Sequence, residues 1–138
     1  MKNLKFRAWD FNKKLMRYVI TDIRWLISGG PVAIKWCTSE IDEGYLHNRN
    51  KKEFILMQYT GLKDNNGKEI YEGDLLFHTG DKDALFEIFY NSDEARFSNC
   101  RTHYKNGRCG GVIPTMNSKR YEIAGNIYVN PEMLEVKP

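Results

Sequence analysis

The chain has 138 residues, of which 41% are apolar, 28% charged and 13% aromatic, and its formal net charge is +3. This length is typical of one domain with its own core, and the aromatic content excludes a globally disordered chain. The longest unbroken apolar run, Phe54–Met57, is far shorter than the roughly 20 residues that cross a bilayer.

The N-terminal region has the period of two that is typical of β-strands. Leu4, Phe6 and Ala8 alternate with their neighbours, and turn residues at 10–13 precede a second apolar and β-branched stretch. This pattern predicts a β-hairpin over residues 3–20. No apolar segment follows the charged N-terminal residues, so we expect no secretion signal and a cytoplasmic protein.

Further short strands follow, divided by turns that contain glycine, asparagine or proline. They are predicted at 23–27, 32–37, 54–59, 75–78, 85–90, 110–113, 120–124 and 127–129. The polar residues 38–52 predict a loop or a single helical turn with a role in interactions, and the polar stretch 91–105 predicts no element. Asn66-Gly67 is a strong turn signal, and Asn130-Pro131-Glu132 predicts one short C-terminal helical turn. Such strands indicate a small barrel or sandwich in a single domain, 1–138.

Charge is unevenly distributed along the second half of the chain. Residues 63–94 contain nine acids and three lysines, whereas residues 95–121 contain six basic residues and no acid. One interpretation is a basic surface for an anionic partner such as nucleic acid. It predicts that five cations share one face: Arg101, Lys105, Arg108, Lys119 and Arg120. The other interpretation is that acidic and basic strands lie side by side and neutralise each other.

The three cysteines, Cys37, Cys100 and Cys109, are an odd number, which argues against a disulfide framework and for free thiols in a reducing compartment. Cys100, His103 and Cys109 also have a spacing that suggests zinc, with Cys37 as a fourth ligand. Structural zinc sites usually use two tight ligand pairs, and only one is present here. Free thiols are therefore favoured, and no metal is expected.

The sequence contains no phosphate-binding glycine loop, no His-Glu-x-x-His and no Gly-x-Ser-x-Gly. The carboxylates Glu69, Glu72 and Asp74 suit acid–base or metal chemistry. A local role is favoured for them, in which Asp74 accepts hydrogen bonds from turn amides. His47 and His78 are expected to be ordinary surface or strand-end residues. We therefore predict neither catalytic nor cofactor-binding residues.

Aromatic residues are concentrated in the first part of the chain. Trp9, Trp25 and Trp36 lie on predicted strands, and Tyr18 and Tyr45 lie among basic residues. Aromatic side chains beside arginine and lysine suit stacking on single-stranded bases. They suit a barrel core or a subunit interface equally well, so both interpretations stay open.

Three segments together resemble a known protein family. They are Lys5–Asp10 with Lys14-Leu15-Met16 soon after, Met57–Asp74, and Tyr121–Glu132. In this order they resemble the YopX family of phage and prophage proteins. Residues 21–52 and 91–118 carry no part of this resemblance.

The resemblance implies a mainly β fold, with an SH3-like small barrel at 53–130 and an N-terminal β extension, 1–50, that packs on the barrel or on a neighbouring subunit. It also implies a phage or prophage origin, assembly into oligomers and no enzymatic activity. Our leading hypothesis is a non-enzymatic accessory protein of the host cytoplasm that works by binding or self-association, without a cofactor or a membrane. A nucleic-acid-binding protein that uses residues 95–121 is the alternative, and a small metal-binding protein or enzyme is the third.

Overall fold

The computed structural model describes residues 4–49, 51–101, 109–112 and 117–134. These residues form short β-strands and two 3-10 turns, which confirms the mainly β fold class. The strands are β1 (Phe6–Asp10), β2 (Leu15–Arg17), β3 (Ile20–Trp25), β4 (Pro31–Ser39), β5 (Asp42–His47), β6 (Phe54–Lys63), β7 (Glu69–Tyr71), β8 (Asp74–His78), β9 (Asp81–Asn91), β10 (Arg96–Arg101), β11 (Cys109–Val112) and β12 (Tyr121–Asn126). The 3-10 turns span Ser118–Arg120 and Pro131–Leu134, and the second is the predicted C-terminal helical turn.

The strands form three antiparallel sheets, ordered β2-β1-β6-β7, β3-β4-β5 and β11-β10-β9-β8-β12. One of the sheets curls into a half-barrel. Pairing of β1 with β2 confirms the N-terminal hairpin. The chain divides into two compact units, an N-terminal one that ends at Gln58 and a C-terminal one that begins at Tyr59, so β6 contributes to both. The single-domain assignment over 1–138 stays a prediction.

The core of the N-terminal unit is built around one tryptophan. Trp36 packs with Ile34, Leu46 and other buried residues. A Cβ atom on Gly44 would lie 2.4 Å from the Trp36 ring, so glycine alone leaves room for the indole. The Arg17 guanidinium covers the ring at 4.0 Å from its centroid.

The first turn is held by a buried carboxylate. Asp10 is only 1% exposed, and its Oδ1 accepts the N–H groups of Asn12 at 3.0 Å and Lys13 at 2.9 Å. Its Oδ2 pairs with Arg17 at 3.2 Å. The predicted turn therefore has a specific cause, because Asp10 satisfies the amides that the reversal of the chain leaves unpaired.

The C-terminal unit has its own core. Ile70, Leu76 and Ile88 are fully buried and are surrounded by half-buried apolar residues. The Asn65 N–H ties the Asn66-Gly67 turn to the Tyr121 carbonyl at 2.9 Å, and Gly67 has φ +79°, as the turn signal predicts. The half-buried residues packed against the core are Leu62, Phe97, Tyr121 and Ile123.

Three strands occur where the sequence predicts none, and one predicted strand is wrong. β5 lies inside the predicted loop 38–52, β10 lies inside the polar stretch 91–105, and β7 lies between two predicted turns. β5 and β10 have few apolar residues and β7 has only three residues, so these strands lack the alternation by which strands are recognised. Residues 127–129 form a turn instead of a strand, because β12 ends at Asn126.

The other predicted strands are confirmed, with ends that differ by a few residues. No helix among the described residues is long and apolar enough to cross a membrane.

Candidate functional site

The three-stranded sheet β3-β4-β5 buries one face and leaves the other open. Ile34, Trp36 and Leu46 lie in the core of the N-terminal unit. Because side chains alternate along a strand, the neighbouring positions lie on the opposite face. That open face presents Asp22 and Arg24 on β3, Ala33 and Lys35 on β4, and Glu43, Tyr45 and His47 on β5.

A shallow groove of about 200 Å³ lies on this open face. The small, buried side chain of Ala33 forms part of its lining. Tyr45 and His47 also line it, and their rings stack with centroids 6.5 Å apart. Tyr45 keeps 55% of its surface exposed. The groove is therefore open along the sheet surface. It suits an extended partner and does not enclose a small molecule.

Both cations of the groove are paired with carboxylates. Lys35 Nζ lies 3.1 Å from Glu43 Oε2, and this hydrogen bond raises the pKa of the ammonium group. Arg24 Nε lies 4.0 Å from Asp22 Oδ2. Exposed pairs of this kind contribute little to stability. They leave the open face without excess positive charge, which is typical of a protein interface and not of a nucleic-acid site.

β5 is an edge strand, and alternate residues direct their backbone groups away from β4. The Asn48 N–H donates to the Val32 carbonyl at 2.9 Å, which fixes the alternation of hydrogen-bonded pairs between the two strands. The residues whose backbone groups point outward are Glu43, Tyr45 and His47. In the described part of the chain, the one hydrogen bond on this side joins the His47 N–H to Glu53 Oε2 at 3.0 Å.

The turn between β3 and β4 exposes three consecutive large apolar side chains. Trp25, Leu26 and Ile27 are 54%, 51% and 110% exposed. Backbone bonds fix the turn: the Leu26 N–H donates to the Gly30 carbonyl at 2.8 Å, and the Gly29 N–H donates to the Leu26 carbonyl at 2.9 Å. We name residues 25–27 the apolar tip. Contiguous exposed apolar residues of this kind are typical of interaction sites.

The predicted basic surface lies only partly within the described residues. Lys119 and Arg120 are exposed on the 3-10 turn before β12, and neither has a carboxylate within 4.0 Å among the described residues. Arg101 ends β10, which β9 and β8 separate from β12. Lys105 and Arg108 lie outside the described residues, as does the Arg101 side chain. The sharing of one face by all five cations stays a prediction.

Neutralisation between neighbouring strands was the other interpretation of the charge pattern. The acidic strand β9 does lie beside the basic strand β10. The ion pair found there joins Arg96 to Glu94 at 2.5 Å, within the β9–β10 turn and not across the ladder. Lys119 and Arg120 take no part in such a pair, so the charge match is incomplete among the described residues.

The zinc interpretation of the cysteines, which the sequence disfavours, receives no support from the described residues. Cys100 is disulfide-bonded, and β10–β11 pairing sets Cys109 opposite it along the backbone. The expectation of free thiols is therefore wrong at Cys100, while Cys37 is free. His103 lies outside the described residues, and no three metal-ligating side chains cluster within the described ranges. The number of cysteines does not reveal that Cys100 and Cys109 lie opposite each other, because this opposition depends on the register of the two strands.

Asp74 accepts a turn amide, as predicted, and its Oδ1 also accepts a hydrogen bond from Asn126 Nδ2 of β12 at 3.4 Å. Asp74 is 1% exposed, and its Oδ2 accepts the Tyr71 N–H at 2.8 Å. The Tyr71 hydroxyl donates to Glu69 at 2.9 Å. His78 is a strand-end residue, as predicted: its Nδ1 accepts the Gly80 N–H at 3.1 Å. These contacts fix the turns on either side of β8.

A pair that the sequence did not indicate lies in the C-terminal unit. Burial raises the pKa of Glu87. Burial, followed by the negative charges of Glu87 and Glu72, raises the pKa of Tyr128. The β8–β9 register positions Glu87, and the turn after β12 positions Tyr128. Residue spacing alone reveals neither the register nor the path of this turn.

Comparisons with known proteins extend along the whole chain. The family described as YopX protein matches residues 5–135. The chain is similar to the crystal structure of protein EF1440 from Enterococcus faecalis, at 29% identity and a TM-score of 0.70, covering 98% of this chain and 100% of that one. It shares the fold of protein yopX from Bacillus subtilis, at 19% identity and a TM-score of 0.58, with 100% of both chains covered. No curated protein matches this chain.

Proposed function

We propose, from the premise that this chain belongs to the YopX family, that it is a non-enzymatic accessory protein of a phage or prophage. In this proposal it works by self-association in the cytoplasm of the bacterial host. The observation that carries self-association is the apolar tip of the β3-β4-β5 sheet. Membership of the YopX family supports the phage setting, because that family is one of phage and prophage proteins.

The apolar tip supports self-association because its exposure is costly in water. Full burial of a large apolar side chain contributes about 1.5–3 kcal/mol. Trp25, Leu26 and Ile27 together offer a compact hydrophobic surface on a fixed turn. A second copy carries the same tip and the same open sheet edge, so one surface serves both partners in a symmetric assembly.

Sedimentation velocity over a hundredfold range of protein concentration tests this proposal. We expect a concentration-dependent oligomer that Ile27→Ser weakens. Ile41→Ser is the matched control, since Ile41 is equally exposed, at 98%, but lies in the turn at the other end of the sheet. A chain that remains monomeric throughout, or equal effects of the two substitutions, would contradict a role for the apolar tip.

A second candidate function, nucleic-acid binding, is favoured by Lys119 and Arg120, which are exposed and lack ion pairs among the described residues. The Arg120 carbonyl accepts the Thr79 N–H at 2.9 Å, and the His78 ring packs edge-on against Tyr121, at 5.3 Å between centroids. Two cations therefore lie beside an aromatic pair, a combination found in single-strand binders.

Titration of nuclease-treated protein against labelled DNA and RNA, single- and double-stranded and at two salt concentrations, tests this candidate. Binding should weaken steeply with salt, and the double substitution Lys119→Glu with Arg120→Glu should reduce the salt slope by about 2. Absence of binding at low salt would reject it.

The non-enzymatic assignment and the phage setting have separate tests. Turnover that a single polar substitution abolishes would contradict the former. The setting predicts that the abundance of the chain rises when a resident prophage is induced, and constant abundance would contradict it.

A further inference from the structure

We propose that two copies of this chain pair antiparallel through the outer edges of β5, about a two-fold axis at Tyr45, and form one continuous six-stranded sheet. This inference rests on the proposed self-association and adds a second contact surface to the apolar tip. Two observations carry it: the outward backbone groups of β5, and the order of the polar side chains along its open face.

The backbone of β5 has the alternation that this pairing needs. An edge strand with free N–H and C=O groups is a template for a further strand. Tyr45 directs both groups outward, so two Tyr45 residues at the axis form a hydrogen-bonded pair that satisfies all four. In the same register Glu43 comes opposite the second copy's His47, and both are outward-facing positions. Every outward group from Glu43 to His47 then has a partner.

The side chains select the same register. Glu43, Tyr45 and His47 share the open face, with the acid on one side of the tyrosine and the imidazole on the other. A two-fold axis at Tyr45 sets each Glu43 against the second copy's His47. Directly across an antiparallel pair, a carboxylate and an imidazole can hydrogen-bond, whereas two carboxylates repel. A shift of two residues removes both contacts, and a parallel arrangement sets like side chains together.

This self-complementary order favours a second copy over another partner. A symmetric interface uses the same patch twice, so a residue on one side of the axis must suit the residue on the other. Nucleic acid is disfavoured because Arg24 and Lys35 are already paired with acids.

Glu53 limits the strength of this association. Its carboxylate accepts the His47 N–H at 3.0 Å and so occupies one end of the edge. Charged side chains on an edge are a common defence against uncontrolled strand addition. Complete pairing requires Glu53 to release His47, whose N–H then donates to the second copy's Glu43 carbonyl. The dimer should consequently be reversible, and Glu53→Ala should strengthen it several-fold.

Oxidative cross-linking tests the register. Two Cα atoms of a hydrogen-bonded antiparallel pair lie about 5.5 Å apart, within reach of a disulfide. Tyr45→Cys should therefore give a reducible covalent dimer under mild oxidation. Glu43→Cys in a Cys37→Ser background is the matched control: its two copies would be four residues apart along the strands, or about 13 Å, and the second change removes the free thiol opposite position 43. Wild type under the same oxidant controls for the natural cysteines.

Sedimentation velocity of the full chain tests the energetics. Tyr45→Pro removes an outward N–H without touching the β4 ladder, and should weaken association at least tenfold. Tyr45→Thr keeps that N–H and should weaken it less. His47→Lys should strengthen association and His47→Glu should weaken it, at the same exposed position. Tryptophan fluorescence confirms folding, because Trp9, Trp25 and Trp36 all lie in the N-terminal unit.

The outcomes separate the two proposals. A wild-type chain that is monomeric at all concentrations overturns self-association, and this inference with it. An oligomer that Tyr45→Pro leaves unchanged, or in which Glu43→Cys cross-links as readily as Tyr45→Cys, overturns the β5 interface and leaves self-association standing. Selective cross-linking at Tyr45 together with opposite effects of the two His47 substitutions supports the interface.

Discussion

Replacement of Asp64 by alanine should destabilise the C-terminal unit more than the loss of any exposed acid. Asp64 is 4% exposed. Its Oδ1 accepts the N–H groups of Asn66 and Lys68, both at 2.9 Å, and its Oδ2 accepts the Ile123 N–H at 3.1 Å. One carboxylate thereby shapes the turn after β6 and ties it to β12, from which it is 59 residues distant in sequence.

The size of the effect follows from these three bonds. A hydrogen bond to a charged group contributes about 1.5–3 kcal/mol. The contributions do not add fully, because the three bonds share one acceptor group and because the exposed Asn66 and Lys68 can bind water in the variant. We expect Asp64→Ala to lower the free energy of unfolding by about 3–5 kcal/mol, a large part of the roughly 5–15 kcal/mol that stabilises a domain.

Urea denaturation followed by far-UV circular dichroism measures this change, and amide exchange at Lys68 and Ile123 localises it. Asp83→Ala is the control, since Asp83 is an exposed acid on β9. Asp64→Asn keeps one acceptor and should lie between the two variants. If the losses in unfolding free energy caused by Asp64→Ala and Asp83→Ala differ by less than about 1 kcal/mol, the three amide hydrogen bonds of Asp64 do not contribute the stability expected of them.

Three further predictions concern packing and pH. Gly44→Ala should cost about 1–3 kcal/mol in unfolding free energy because its Cβ would meet the Trp36 ring, whereas Gly30→Ala, with no atom within 4 Å of the added Cβ, should have little effect; equal effects would contradict the packing argument. Burial raises the pKa of Glu87 in the folded chain. The free energy of unfolding therefore falls as the pH rises from the pKa of Glu87 in the unfolded chain to its pKa in the folded chain. In thermal melts, Glu87→Gln should stabilise the chain at about pH 7 but not at about pH 3.5. Because the Glu87 charge helps to raise the pKa of Tyr128, the same variant should let that phenol ionise at lower pH in an absorbance titration, and an unchanged titration would show that the two groups do not interact.

Local signals in the sequence predicted the turns and many of the strands. Asn66-Gly67 predicts a turn from backbone preference alone, and Gly67 has φ +79°. Asp74 was expected to accept turn amides, and it accepts the Tyr71 N–H. The N-terminal hairpin was visible because apolar residues recur with period two in the sequence. In each case the cause lies within a few residues of the effect, so a single sequence is sufficient to reveal it.

Contacts distant in sequence were beyond the same reasoning. The opposition of Cys100 and Cys109 depends on the register of β10 with β11, which shifts at a bulge between Asn99 and Cys100. The bond from Ile123 to Asp64 joins segments whose proximity no local pattern encodes. The exposure of Trp25 also had no signal, since a tryptophan on a strand fits a core and an interface equally well.

The failure to predict β5 and the role proposed for it have the same physical origin. An internal strand is recognised by apolar residues that alternate into a core, but β5 buries only Leu46, because Gly44 yields its space to Trp36. Its other side chains, the paired Glu43 and the stacked Tyr45 and His47, lie on the open face. A strand at an open edge therefore looks like a polar loop in the sequence, since the residues suited to water and to a partner replace those suited to a core. In small β proteins, a polar stretch of strand length between two strong strands is accordingly a place to look for an edge that recruits another chain.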